Sequence, residues 1–219
     1  MVLLSVSPGW FYGYDVILEM FYAIISLAVA ALAFRIYRKT SQRNVGLFGA
    51  SFFLIGTSYL IQSIINFLII SEINENICQA IKIQSVFVFN YLGMLVHVFF
   101  MTAGLSVLVY LTCRQEKARM LFLLMGISLS GIFLSRNITY AFYLFSTMFL
   151  SVICWHFISN HMRNKKSKTM LTAVAFLFLL FGNLHFIVSV NHGLFYVIGH
   201  LLGLVAYLLI LTNYYLIRK

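Results

Sequence analysis

The sequence from residue 14 to residue 34 reads YDVILEMFYAIISLAVAALAF, and the basic segment RIYRKTSQR follows it at 35–43. Asp15 and Glu19 are the only charged residues in the first stretch. At a rise of 1.5 Å per residue, a helix of this length is about 30 Å long, which is the thickness of the hydrocarbon core of a bilayer. A long, charge-poor stretch that ends in basic residues is typical of a transmembrane helix. We therefore expect 14–34 to cross a membrane.

Further charge-poor segments follow along the whole chain, and the composition agrees with them. The chain has 219 residues, of which 62% are hydrophobic and only 9% are charged, whereas soluble domains carry about 25% charged residues. This excludes the soluble classes and predicts an all-α integral membrane protein, a single domain over 1–219 with seven transmembrane helices. The predicted spans are 14–34, 45–70, 85–113, 120–135, 138–159, 170–190 and 194–217.

The basic residues predict how this bundle is oriented. Thirteen of the fifteen Lys and Arg residues follow the first, third, fifth and seventh spans, and only Lys82 and Arg136 fall on the other side. The positive-inside rule then places the N-terminus outside and the C-terminus in the cytoplasm, and the plasma membrane is the expected location. The net charge of +10 is explained by this topology. We expect the lipid bilayer, and no nucleic acid, as a partner, because no basic stripe with interleaved aromatic residues lies outside the membrane ends.

Polar side chains lie at matched depth in several predicted spans. Five of them are roughly four to six residues, or about 6–9 Å, from the predicted outer ends of their helices, and a sixth is about 18 Å deep. Together they predict a polar pocket in the outer half of the bundle, although hydrogen bonding between packed helices would explain the same residues. The first five are Glu19, Asn66, Asn90, His185 and His200, and the deeper one is His97.

Of these six residues, Glu19 is the most costly to place within a membrane. A charged side chain within a transmembrane helix costs up to about 2.5–3.5 kcal/mol on insertion scales. It therefore needs access to water, a proton or a partner, and the sequence predicts His185 or His200 as that partner. An ionisable residue inside a membrane is a functional hypothesis by default.

The leading functional hypothesis is a non-enzymatic multi-pass membrane protein, either a sensor that binds a ligand in the outer-half pocket or an accessory subunit of another membrane protein. The general layout resembles the membrane-embedded sensor modules that precede signalling domains. A transporter with alternating access is disfavoured because Pro8, outside the spans, is the only proline, and transporters commonly use helices broken by Pro or Gly.

The alternative hypothesis is an intramembrane redox protein that binds b-haem or a divalent metal. A b-haem needs imidazole ligands from facing helices, and His97, His185 and His200 supply three candidates. The residue types of Glu19, His185 and His200 would suit a divalent metal such as zinc. No sequence-local metal motif supports this alternative, and the sequence alone identifies no ligand or cofactor.

Overall fold

The computed structural model describes residues 8–11, 13–74, 83–113, 117–165, 167–189 and 192–218. After a short 3-10 turn at Gly9–Phe11, this part of the chain folds into helices alone. The helices are α1 (Tyr14–Thr40), α2 (Arg43–Asn74), α3 (Ile83–Thr112), α4 (Ala118–Phe133), α5 (Ile138–Asn164), α6 (Ser167–Ser189) and α7 (Gly193–Arg218).

The seven helices match the predicted spans in order, and most extend past the apolar segment at one end. Helix α1 continues to Thr40 and α5 to Asn164, so both helices run into the basic connections. Basic residues occupy the last turns of both helices, where they stabilise the negative end of the helix dipole. Each helix then ends at a residue with a left-handed backbone, Ser41 (φ 52°) and Lys165 (φ 48°).

The length of the helices supports a membrane protein but distinguishes α4 from the others. Within the described residues, six helices are long and apolar enough to cross a membrane. Helix α4 has 16 residues and is only about 24 Å long. The protein is therefore a membrane-spanning helical bundle with at least six candidate crossings, and a crossing by α4 remains a prediction.

The helices alternate in direction. Ser63, late in α2, donates a hydrogen bond to the carbonyl of Val16, early in α1 (3.1 Å). Asn213, late in α7, donates to Thr172, early in α6 (2.8 Å). We call the end of the bundle at which α1, α3, α5 and α7 begin the upper end, and the opposite end the lower end. The predicted topology corresponds to an upper end that faces outside.

Six of the helices form a ring. They follow one another in the order α1, α2, α3, α5, α6 and α7, each packed against the next, and α7 packs back against α1. Helix α4 lies beside this ring, against α3 and α5. Large apolar side chains cover the outer surface, including Ile17, Phe122 and Trp155, which are each about two-thirds exposed or more. Such a surface suits contact with lipid.

Gly104 of α3 lies close to the backbone of α2. A Cβ atom placed on Gly104 would lie 2.9 Å from the carbonyl oxygen of Ser51 and 2.8 Å from the side chain of Ile55. The two backbones approach this closely only because Gly104 has no side chain. Small residues at helix interfaces have this role in membrane proteins, where helices associate through packing.

We expect thiol labelling to reveal the predicted topology. Cys113 is exposed at the lower end of α3, and Arg136 lies in the upper connection between α4 and α5. With Cys78 and Cys154 changed to serine, a membrane-impermeant maleimide should label Cys113 only after the membrane is permeabilised. In the same background, a C113S/R136C variant should be labelled in intact cells.

The labelling pattern tests two predictions separately. If both positions are labelled from the same side, α4 does not cross the membrane. If they are labelled from opposite sides in the reverse sense, α4 crosses but the predicted orientation is wrong.

Candidate functional site

A partly open cavity of about 90 Å³ lies within the six-helix ring. Every helix of the ring contributes side chains to its wall, and none of the described residues of α4 does. Its polar wall residues come mainly from the upper half of the helices, and we call this space the upper cavity. They are Glu19, Tyr22, Tyr59, His97, Tyr143, Asn183, Tyr196, His200 and Tyr207.

Glu19 is the acidic residue of the upper cavity and lies in the second turn of α1. Its side chain is only 7% exposed. One carboxylate oxygen accepts a hydrogen bond from the Asn66 amide of α2 (3.0 Å), and Gln62 donates to the oxygen of that same amide (3.2 Å). Among the described residues, no basic side chain forms an ion pair with Glu19. The partner predicted from sequence, His185 or His200, is replaced by Asn66.

His200 of α7 lies against aromatic rings on several sides. Its ring centroid is 4.5 Å from that of Tyr196 and 5.1 Å from that of Phe186, and the residue is 4% exposed. The His200 carbonyl accepts a hydrogen bond from the Tyr22 hydroxyl (2.6 Å). The ring atom Nδ1 is buried and has no hydrogen-bond partner among the described residues. This is unusual, because most buried polar side-chain atoms in native proteins have a hydrogen-bond partner.

Three tyrosines connect α1, α2 and α7 in the wall of the upper cavity. The ring centroid of Tyr22 lies 4.6 Å from that of Tyr207 and 5.4 Å from that of Tyr59. The Tyr22 ring is also nearly parallel to that of His200, with centroids 6.3 Å apart. Because Glu19 and Tyr22 are three residues apart on one helix, their side chains lie on the same face. The carboxylate and the aromatic cluster are therefore neighbours.

His97 of α3 is held by Ser58 of α2. The Ser58 hydroxyl donates to the His97 carbonyl (2.8 Å) and also lies 2.9 Å from His97 Nδ1. Nδ1 also lies 3.3 Å from the Ser58 carbonyl oxygen, which can only accept a hydrogen bond, so the tautomer with its proton on Nδ1 suits this contact. In that tautomer of the neutral ring, Nε2 is a hydrogen-bond acceptor. The ring also packs edge-on against Tyr59 and Phe142.

The predicted site residues separate into two groups. Glu19, His97 and His200 line the upper cavity. Asn66 does not line it but donates a hydrogen bond to Glu19. Asn90 and His185 are not among the residues that line it. The matched depths were predicted from residue counts, which do not give the direction in which a side chain leaves its helix.

His185 illustrates this difference. Its Nδ1 atom lies 2.7 Å from the Phe181 carbonyl one turn earlier in α6, and its ring is 5.7 Å from that of Phe195. Asn183 and Phe186 of the same helix line the upper cavity. His185 therefore points to a different side of α6, away from Glu19 and His200.

The cofactors considered from sequence do not fit this arrangement. No group of three His, Cys, Asp or Glu side chains among the described residues is placed to hold a metal ion, so Glu19, His185 and His200 do not form the predicted metal site. His97 and His200 do line the same cavity, but its volume of about 90 Å³ is below that of a cavity of about 150 Å³ that binds benzene. A haem is far larger than benzene and does not fit.

A second cavity occupies the lower half of the bundle, where the sequence predicts no site. It measures about 240 Å³ and is mostly apolar. Asn213 and Thr172 lie in its wall, joined by the hydrogen bond between α7 and α6. The rings of Phe52 and Phe176 line both cavities. They form the boundary between them near the middle of the membrane-spanning region.

The tyrosine cluster was also missed as part of a site. Tyr22 is three residues after Glu19, Tyr59 is seven residues before Asn66, and Tyr207 is seven residues after His200. Each tyrosine therefore lies on the same helix face as a predicted site residue. These spacings are the signal from which their place in the wall could have been predicted.

No family model, curated protein or solved structure matches this chain.

Proposed function

We propose that this chain is a non-enzymatic, ligand-binding membrane protein, a sensor or an accessory subunit, that binds a small molecule in the upper cavity. We place it in the plasma membrane with the upper end outside. The observation that carries the proposal is the buried Nδ1 atom of His200, a residue of the cavity wall, which has no hydrogen-bond partner in the part of the chain that the structure describes. A ligand that hydrogen-bonds to this atom would remove the cost of burying it unpaired.

The environment of the other polar groups supports a binding site. Glu19 uses one hydrogen bond from Asn66, and a carboxylate can accept several more. The cavity draws its wall from six helices, so a bound molecule would contact every helix of the ring. Binding would stabilise this arrangement over others, which is the basic requirement of a sensor.

Thermal denaturation of the purified protein tests the proposal. We expect at least one of three small probes, trimethylammonium, acetone or acetate, to raise the melting temperature in a saturable way. At a concentration a hundred times its dissociation constant, a ligand stabilises the folded state by about 2.7 kcal/mol. The three probes have the same number of non-hydrogen atoms, so charge is the main difference between them.

Two histidine variants provide the matched comparison. The variant His200→Leu should lose the stabilisation, because it removes the polar anchor in the wall. The variant His185→Leu should keep it, because His185 lies at the same end of the neighbouring helix but outside the wall. Equal responses of both variants, or no response of the wild type to any probe, would contradict the proposed site.

A further inference from the structure

On the basis of the proposed function, we infer that the ligand of the upper cavity is a small protonated amine. The first observation is the balance of charge in the wall. Among the described residues that line the cavity, Glu19 is the acidic one and none is Lys or Arg. An anion would make this buried carboxyl group still harder to ionise, whereas a cation would supply the opposite charge that favours its ionised form.

The second observation is the aromatic character of the same wall. Tyr22, Tyr59 and Tyr207 pack together beside Glu19, with ring centroids 4.6–6.0 Å apart. Cations bind over aromatic faces within about 6 Å of the ring centroid, and cages of aromatic rings recognise ammonium groups. Since Tyr22 and Tyr207 stack on each other, one face of each ring is covered, and an organic cation would contact the ring surface that the wall tyrosines turn to the cavity beside Glu19.

The third observation distinguishes a protonated amine from a quaternary ammonium. His200 Nδ1 is buried without a partner among the described residues. In the tautomer with its proton on Nε2, this atom is a hydrogen-bond acceptor, and a protonated amine has N–H groups to donate. Tyr22 connects the two anchors, because its ring stacks on His200 and it follows Glu19 by one helical turn.

The size of the upper cavity limits the ligand. Its volume of about 90 Å³ is well below that of a cavity that accommodates benzene, about 150 Å³. Methylammonium and its methylated relatives are small enough, whereas a polyamine is not. A divalent metal ion is a poor candidate, because Ca²⁺ and Mg²⁺ need several oxygen ligands and no group of three metal-ligating side chains is assembled among the described residues.

Titration calorimetry on the full chain in lipid discs tests the inference directly. In discs of phosphatidylglycerol, which contain no amine, we expect methylammonium and trimethylammonium to bind at least tenfold more tightly than acetone or acetate. Tetramethylammonium, which has no N–H group, should bind at least threefold more weakly than trimethylammonium. Weaker apparent binding of methylammonium in discs that contain phosphatidylethanolamine would identify the lipid headgroup, instead of a free amine, as a source of the same ammonium group.

Variants of Glu19 provide the matched test. Loss of a charge-assisted hydrogen bond in Glu19→Gln should weaken methylammonium binding about tenfold or more, whereas Glu19→Asp keeps the charge and should stay within about threefold of the wild type. The melting temperature of each variant without ligand shows whether it is folded. The comparison of the amines with acetone and acetate uses the wild-type protein alone, so it remains a test even if a variant does not fold.

Each outcome has a distinct meaning. Tighter binding of acetone or acetate than of either amine would overturn the inference and leave the proposed function standing. Equal binding of methylammonium by Glu19→Gln and the wild type would also overturn it. Binding of none of the probes would overturn the proposed function together with the inference.

Discussion

Replacing Tyr22 with alanine should lower the free energy of unfolding of the bundle by about 3 kcal/mol, as truncation of a large aromatic residue in a core does. Tyr22 is 2% exposed and contacts the rings of Tyr59, Tyr207 and His200. It joins three helices of the ring at one point. We place the effect at the lower end of the range for soluble cores because lipid also solvates an unpacked apolar surface.

The variant Tyr22→Phe separates the ring from its hydroxyl. It keeps the aromatic contacts and loses only the hydrogen bond to the His200 carbonyl (2.6 Å), so we expect a loss of about 1 kcal/mol or less. Unfolding in graded mixtures of mild detergent and sodium dodecyl sulfate would measure both variants. Similar losses for alanine and phenylalanine would show that the hydroxyl, and not the packing of the ring, stabilises this junction.

The second large effect is expected at Gly104. A methyl group at this position would lie 2.9 Å from the Ser51 carbonyl oxygen and 2.8 Å from Ile55, so α2 and α3 would have to separate. Overpacking of this kind costs about 1–3 kcal/mol, and a carbonyl of the helix backbone cannot move aside as a flexible side chain can. Gly104→Ala should therefore destabilise the protein although alanine is the better helix former.

Gly126→Ala is the matched control for this prediction. Gly126 is also inside a helix, but a Cβ atom there would meet nothing within 4 Å. No steric clash then opposes the higher helix propensity of alanine, so the substitution should stabilise the protein by up to about 1 kcal/mol. The same unfolding assay reports both changes, and a Gly104→Ala variant as stable as Gly126→Ala would show that the close approach of α2 and α3 is not required.

The sequence was sufficient to predict the helices but not their arrangement. Length and charge identified seven helical segments, because a charge-poor stretch has few alternatives in a membrane. They did not reveal that α4 lies beside the ring. Lipid is as apolar as a helix interface, so an apolar helix face does not show whether it contacts lipid or another helix. Only the polar and small residues carry such information.

In the candidate site, the sequence predicts how deep a residue lies in the membrane but not the direction of its side chain. Counting residues placed Glu19 and His200 in one layer, and both line the upper cavity. The same count placed His185 in that layer, although its side chain leaves α6 towards Phe195. The hydrogen bond from Asn66 to Glu19 depends on the relative rotation of α1 and α2, which close packing determines and a single sequence does not state.

The closure of the ring has a consequence for the order in which the protein is made. Each helix from α2 onward packs against a neighbour that is already synthesised, but Tyr22 and His200, which join α1 to α7, are 178 residues apart. The contact between α1 and α7 can form only after the last helix has entered the membrane, and bringing the two helices together costs loop-closure entropy. The wall of the upper cavity is therefore completed last, when α7 is in place.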